Sequence, residues 1–204
     1  MDVLPEWDQL DPARMAGLIM IIGATDTGKS TLGRYLFRRL SAAGPVAYLD
    51  GDPGQTSLGP PTTVSLGMAA AGAARWPPAG DIRRAFVGAT TPRRHMLPHL
   101  VATARLVHAG FSLGARSVVH DTSGMIEDGG LALKVAEIDL LAPAWIVAIQ
   151  REAELEPLLR PLRRLRRVEL VELRPAPAIR PRAVAERQAH RAGAYAAHFA
   201  AAPP

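Results

Sequence analysis

Gly23-Ala24-Thr25-Asp26-Thr27-Gly28-Lys29-Ser30 fits G-x-x-x-x-G-K-[ST] at every position, and Thr31 follows it. The flanks give the match its meaning. The apolar run Leu18–Gly23 reads as a buried strand. Lys29–Ala42 reads as a helix with Leu32, Leu36, Phe37 and Leu40 on one face. A strand that turns through such a loop into a helix N-terminus points backbone N–H groups at one spot, and the helix dipole makes that spot attractive to phosphate. Gly23 and Gly28 permit backbone angles that a side chain would obstruct. The expected nucleotide-binding residues are therefore Gly23, Ala24, Thr25, Asp26, Thr27, Gly28, Lys29, Ser30 and Thr31. Lys29 would neutralise β- and γ-phosphate charge, and the Ser30 hydroxyl would hold Mg²⁺.

Outward from this loop, strand and helix patterns alternate. Gly44-Pro45 stops the first helix, and Val46–Asp50 is a second strand. Asp52–Pro61 is a Gly/Pro-rich loop, Thr62–Met68 a short extended piece, and Ala69–Gly80 a loop or insertion. Ile82–Gly88, Ser117–Asp121, Trp145–Gln150 and Val168–Leu173 read as strands. Met96–Ala109, Gly130–Ile138, Glu154–Leu165 and Ala183–Phe199 read as helices. Alternation of this kind implies right-handed βαβ crossovers. The fold class expected is α/β: a P-loop NTPase three-layer sandwich with a mainly parallel sheet and a C-terminal helix, which the resemblance given below implies is a helical lid. A length of 204 residues suits one such domain, 1–204.

Composition narrows the function. No apolar run approaches the roughly 20 residues needed to span a bilayer. Met1–Arg14 is acidic, without the basic start and long apolar stretch of a signal peptide, so a cytoplasmic location is expected. Without cysteine there is no disulfide, zinc-thiolate site or cysteine nucleophile. The net charge is +5 and arginine carries nearly all of the positive charge, since Lys29 and Lys134 are the only lysines. A basic surface fits a polyanionic partner. The basic run Arg160–Arg167 has a plainer reading as a solvated helix face. Asparagine is absent, so the Asn-Lys-x-Asp guanine motif of GTPases cannot exist here.

Two acidic segments sit where open parallel sheets place their ligands, at strand C-termini. Asp50-Gly51-Asp52-Pro53-Gly54-Gln55 follows the second strand. One of its carboxylates can serve the metal and its water shell, and another can orient or deprotonate an attacking hydroxyl. Asp52-Pro53-Gly54 is also good turn chemistry, and such a turn would aim the carboxylate. Asp121, ending the strand Ser117–Asp121, is the better Walker B acid and would reach Mg²⁺ through water.

These residues resemble the RNA and polynucleotide 5′-hydroxyl kinases related to the kinase subunit of the pre-mRNA cleavage complex and to the pre-rRNA processing kinase. Four segments carry the likeness: Gly23–Thr31, Tyr48–Gly67, Phe86–Pro92 and His120–Gly130. Arg180–Phe199 looks like a fifth, the family's arginine-bearing lid. The resemblance implies ATP as phosphate donor, Mg²⁺, and a nucleic acid with a 5′-hydroxyl end, RNA or DNA, as acceptor. It implies catalytic roles for Lys29, Asp52, Arg187 and Arg191, with Asp52 activating the hydroxyl. Gln55 matches a nearby polar residue, and Thr90 and Thr91 lie in the segment that clasps the acceptor. This chain departs from the family twice. Met125 stands where a base-stacking tryptophan is common, and the clasp lacks its usual asparagine, with Arg93, Arg94 and His95 in that region. No membrane and no obligate protein partner are expected. A small-molecule P-loop kinase and a P-loop assembly or switch ATPase are the competing readings.

Overall fold

The computed structural model describes residues 5–200, so the expectations for Met1–Arg14 and for a domain spanning 1–204 lie partly outside the described residues. Seven strands form one sheet: β1 (Gly17–Gly23), β2 (Val46–Gly51), β3 (Thr63–Ala69), β4 (Arg83–Phe86), β5 (Ser117–Thr122), β6 (Trp145–Ile149) and β7 (Glu169–Leu173). The helices are α1 (Lys29–Leu40), α2 (Met96–Ser112), α3 (Gly130–Leu141), α4 (Glu156–Leu162) and α5 (Val184–Ala200). The strand order is β4-β3-β2-β5-β1-β6-β7. The five strands from β2 to β7 in that order run parallel.

The sheet is mainly parallel, as its alternating pattern implies, but one edge is not. β2 pairs with β3 and β3 with β4 in antiparallel fashion. The piece expected as a short extension at Thr62–Met68 is thus a full inner strand. Crossover helices are missing on this side because the connections hold turn-formers instead: Asp52–Pro61 before β3 and Ala69–Gly80 after it. Helix ends shift by a turn or less. α1 closes at Leu40, with Ser41–Ala43 as one tighter turn, and α4 is confined to Glu156–Leu162.

Period-two alternation divides the core. Ile19, Ile21, Tyr48, Val119 and Val147 face one side and pack on Leu32, Leu36 and Phe37 of α1. Leu18, Ala47 and Val118 face the other side with Ala102, Leu106 and Val107 of α2. Met20, Ile22 and Ile146 continue that second layer against Ile138 of α3 and Leu158, Leu159 and Leu162 of α4. Burying each such side chain contributes about 1.5–3 kcal/mol before chain entropy is set against it. β1, from Leu18 on, and all of β5 therefore lie buried at the sheet centre, and their C-terminal ends bring the glycine loop and Asp121 side by side. The basic run Arg160–Arg167 is a surface feature: Arg163 pairs with Glu156 and Glu172, and Arg167 with Asp139.

Candidate active site

The loop after β1 is closed on itself. Gly28 holds a left-handed conformation, φ 93°, and leads into α1. A side chain there would be strained by that φ, and its Cβ would come within 2.7 Å of Ile179 Cδ1. The Lys29 ammonium is parked on the loop, donating to Ala24 O at 2.7 Å. Burial pushes its pKa down, while the carboxylates of Asp121 and Asp52 push the other way. A phosphate entering the loop would exchange that carbonyl for a charged acceptor, which makes a stronger hydrogen bond.

Asp50 pairs with Asp121 across neighbouring parallel strands, so two carboxylates lie side by side in the core. Their surroundings separate them. Asp50 Oδ2 accepts from Thr56 Oγ1, Ser57 Oγ and the backbone N–H groups of Ser57 and Leu58, which ties down the loop behind it. Burial, reinforced by Asp121, still pushes Asp50 up to about 7. Burial also raises Asp121, and Lys29, Ser30 and Tyr48 oppose that rise. Tyr48 Oη donates to Asp121 Oδ2 at 2.8 Å, whereas among the described residues the buried Oδ1 has no hydrogen-bond partner. That orphaned oxygen beside the Ser30 hydroxyl fits a Mg²⁺ with its water shell. Among the described residues there is no cluster of three or more His, Asp or Glu able to hold an ion unaided. Phosphate oxygens and water would have to complete the coordination.

Asp52 is partly exposed. Its Oδ1 caps the turn by accepting from the N–H groups of Gly54 and Gln55, at 2.8 and 2.9 Å. Among the described residues Oδ2 accepts no protein hydrogen bond. A side chain at Gly54 would strike the carbonyl of Thr90, so the glycine lets the Asp52 turn and the Thr90–Thr91 segment touch. Two clefts meet at Asp52. One, about 420 Å³, holds Thr25 through Thr31 together with Arg34, Gln55, Arg180, Arg182 and His190. The other, about 260 Å³, gathers Gln55, Thr90, Thr91, Met125, Arg187 and Arg191. The structure thus brings the expected site residues to these two clefts except Gly23 and Ala24 at the start of the loop, the buried Asp121, and Arg93. Arg93 turns outward to an exposed ion pair with Asp128 at 3.3 Å. Thr91 Oγ1 lies 3.8 Å from Met125 Sδ.

The helix α5 has no buried residue, and polar groups hold it over the loop. Arg182 Nε lies 3.0 Å from Asp26 Oδ1, and Arg187 Nη1 lies 3.6 Å from Asp26 Oδ2. Burial works to raise Asp26, but the hydrogen bonds and charge of Arg182, with Arg187, hold its pKa below the usual carboxylate range. His190 Nε2 is 2.9 Å from Thr56 O. Glu186 accepts from the Ala183 N–H and caps the helix. Sequence reading missed Arg182 and His190, because nothing in their local spacing points to Asp26 or Thr56.

It also missed a buried polar group under the site. Lys134, Glu137, His99 and His120 are all fully buried. Lys134 Nζ contacts Glu137 Oε2 at 3.2 Å and Ser123 Oγ at 3.3 Å. His99 Nε2 contacts Gly51 O at 2.9 Å. The group ties α2 and α3 to the backbone beside Asp50, Asp52 and Asp121. Burial alone would raise Glu137, but the Lys134 charge and His99 hold it ionised. Burial lowers His120 to about 3, so it is neutral. Lys134→Met is expected to destabilise the fold by about 3–5 kcal/mol, because it strands a buried carboxylate. Lys134→Met/Glu137→Met should recover most of that loss. Urea unfolding checks both, and a double variant as unstable as the single one would contradict the pairing.

A sequence model of the mRNA cleavage and polyadenylation factor CLP1 P-loop matches residues 23–201. The chain is 38% identical to a polyribonucleotide 5′-hydroxyl-kinase of Pyrococcus furiosus over 141 residues, which cover 69% of this chain and 40% of that protein. Identity to the kinase of the same name from Methanocaldococcus jannaschii is 31% over 144 residues, 70% of this chain and 40% of the relative. For the Homo sapiens polynucleotide 5′-hydroxyl-kinase NOL9 it is 29% over 140 residues, 66% and 20% of the two chains. The matched region is thus less than half of each relative's length. Among solved structures, Clp1p in a wild-type Clp1p–Pcf11p complex superposes with a TM-score of 0.71 at 14% identity, covering 91% of this chain and 50% of that one.

Proposed function

Because the chain belongs to the CLP1 P-loop family, we propose that it is an enzyme that transfers the γ-phosphate of ATP to the 5′-hydroxyl end of RNA or DNA. The observation that carries the reading is the position of Asp52. It stands at the junction of a phosphate cleft and an arginine-rimmed second cleft, with one oxygen fixing its own turn and the other available. The names of the archaeal relatives point the same way.

In this mechanism the glycine loop and Lys29 bind the β- and γ-phosphates. Ser30 and Asp121 are the groups that would hold Mg²⁺, whose charge when bound offsets that of the phosphates. Thr90, Thr91 and Gln55 orient the acceptor end. Asp52 takes the proton of the 5′-hydroxyl as its oxygen forms a bond to the γ-phosphorus and the bond to the β-phosphate oxygen breaks. Arg187 and Arg191 face charge spreading over the phosphoryl oxygens, and α5 over the cleft excludes water. Residues 180–199 act as the lid in this reading, and 1–204 as one kinase unit working in the cytoplasm. No helix among the described residues is long and apolar enough to cross a membrane.

The test is incubation with γ-labelled ATP, Mg²⁺ and short 5′-hydroxyl oligonucleotides, with free nucleosides in parallel. Label on the oligonucleotide end supports the proposal. Equal labelling of nucleosides, without salt dependence, would favour a small-molecule kinase. Single-stranded ends should outperform blunt duplex ends, since a paired end brings a second strand into the same cleft. RNA should outperform DNA only weakly, because Met125 packs on a base without a specific edge. Met125→Trp adds a stacking surface worth about 1–3 kcal/mol per base. It should lower KM for the oligonucleotide and leave KM for ATP unchanged. A change confined to the ATP term would remove Met125 from the acceptor side.

A further inference from the structure

A further groove lies away from the phosphate loop. It has a volume of about 660 Å³ and runs between the edge strand β4 and helix α2. Arg83, Arg84 and Arg105 contribute to its walls, with Phe86, Val101 and Leu106, and no carboxylate lines it. Phe86 is 75% exposed, far more than a large aromatic side chain normally is in a monomeric domain. Arg84 is partly occupied, donating to Leu58 O and Ile82 O at 3.4 Å.

The strand that walls the groove leads to the acceptor cleft. β4 ends at Phe86, and the chain passes through Val87 and Gly88 directly into Thr90 and Thr91. Four residues extend at most about 14 Å, so the Phe86 backbone lies within that reach of Thr90. Gly88, at φ +88°, makes the bend, with the Phe86 ring 3.5 Å from where its Cβ would be and His95 4.0 Å away. A polymer seated by its 5′ end must leave the cleft by some path. This path offers guanidinium groups for phosphates and an exposed π-face for a base, the combination by which proteins hold single strands irrespective of sequence.

Resting on the kinase reading above, we propose that the β4–α2 groove is the track for the single-stranded polynucleotide beyond its reacting end. Arg83 and Arg105 contact phosphates in the groove, and Phe86, which projects from the other face of the edge strand together with Arg84, stacks a base at the strand's rim. The groove then supplies the preference for a polymer over a nucleoside, while the Asp52 clefts see only the terminal residue.

The experiment compares the full chain with Phe86→Ala and with Arg83→Gln/Arg105→Gln. The substrates are a 5′-hydroxyl dinucleotide and a 3′-fluorescein-labelled 5′-hydroxyl oligoadenylate of roughly 16 nucleotides or more. Both variants should lower kcat/KM on the long strand by about tenfold and leave the dinucleotide unchanged, and Phe86→Trp should restore the long-strand rate. The arginine variant should also flatten the dependence of log Kd on log salt, measured by fluorescence anisotropy without ATP. An unchanged long-strand rate, or equal losses on both substrates, would overturn the track. So would a wild-type dimer that Phe86→Ala dissociates, since the face would then be a contact between copies. If the wild-type chain phosphorylates neither substrate, the kinase reading has failed. Anisotropy then decides the groove alone: weaker binding by Phe86→Ala supports it, and unchanged binding overturns it.

Discussion

Lys29→Ala is expected to abolish phosphoryl transfer and weaken ATP binding together. The Lys29 side chain is nearly buried and already stripped of most of its water. Exchange of the Ala24 carbonyl for a phosphate oxygen therefore carries little reorganisation cost. Charge placed in advance where negative charge grows is worth more in such a dry site than in solution. Loss of one preorganised donor typically costs about 10²–10³-fold in kcat, and Lys29 also contributes to binding, so kcat/KM should fall by about 10³-fold or more. The substitution also removes the positive charge that holds the Asp121 carboxyl down against burial. Thermal unfolding without nucleotide has to be measured beside activity for that reason. A variant that folds, binds ATP poorly and transfers nothing matches the assignment. Activity close to wild type would remove the glycine loop from catalysis.

How far the site was legible depended on whether its parts are contiguous in the chain. The glycine loop and the Asp-Pro-Gly-Gln turn are local chemistries, each with its own spacing, and their flanks show the strand and helix they join. The parallel core was legible for the same reason, through alternating apolar runs. The antiparallel edge was less so, since β4 is only four residues long and mostly exposed, with no apolar face to mark its pairing. The latch of Arg182 on Asp26 joins residues 156 positions apart, and Tyr48 meets Asp121 across 73. Neither pair has a periodic signature. Lys134 is the clearest case: on α3 it reads as an ordinary helix lysine, and only the packing of α2 against α3 makes it a buried ion facing Glu137. Arg93 shows what spacing leaves out. Its place in the clasp segment suggests acceptor binding, but Asp128 from the neighbouring loop takes its charge.

The choice between Asp50 and Asp52 turns on which carboxylate has an oxygen to spare. Asp50 is 1% exposed, and the donors of residues 56–58 converge on its Oδ2. It works as a loop anchor. Its pKa of about 7 follows from burial beside Asp121 and does not make it accessible to a hydroxyl. Asp52 has the opposite balance: partial exposure, one oxygen capping a turn and one available, and a place in both clefts. Asp52→Asn preserves the turn, because the amide oxygen can still accept from Gly54 and Gln55, but it cannot take a proton. Loss of general-base help is worth roughly 10²–10⁴-fold. Asp52→Asn should therefore lower kcat in that range with little change in KM for ATP. Asp50→Asn should act through the loop instead, with a smaller fall in kcat and a changed unfolding profile. Folding keeps a proton on Asp50 between its ordinary value of 3.8 and about 7, so this group's contribution to stability declines as pH rises through that window. Asparagine does not titrate, and Asp50→Asn should flatten the pH dependence of the urea midpoint there, whereas Asp52→Asn leaves it in place. Single-turnover rates at saturating ATP and oligonucleotide separate the two carboxylates: a larger loss of the chemical step in Asp50→Asn than in Asp52→Asn would transfer the base to the buried position.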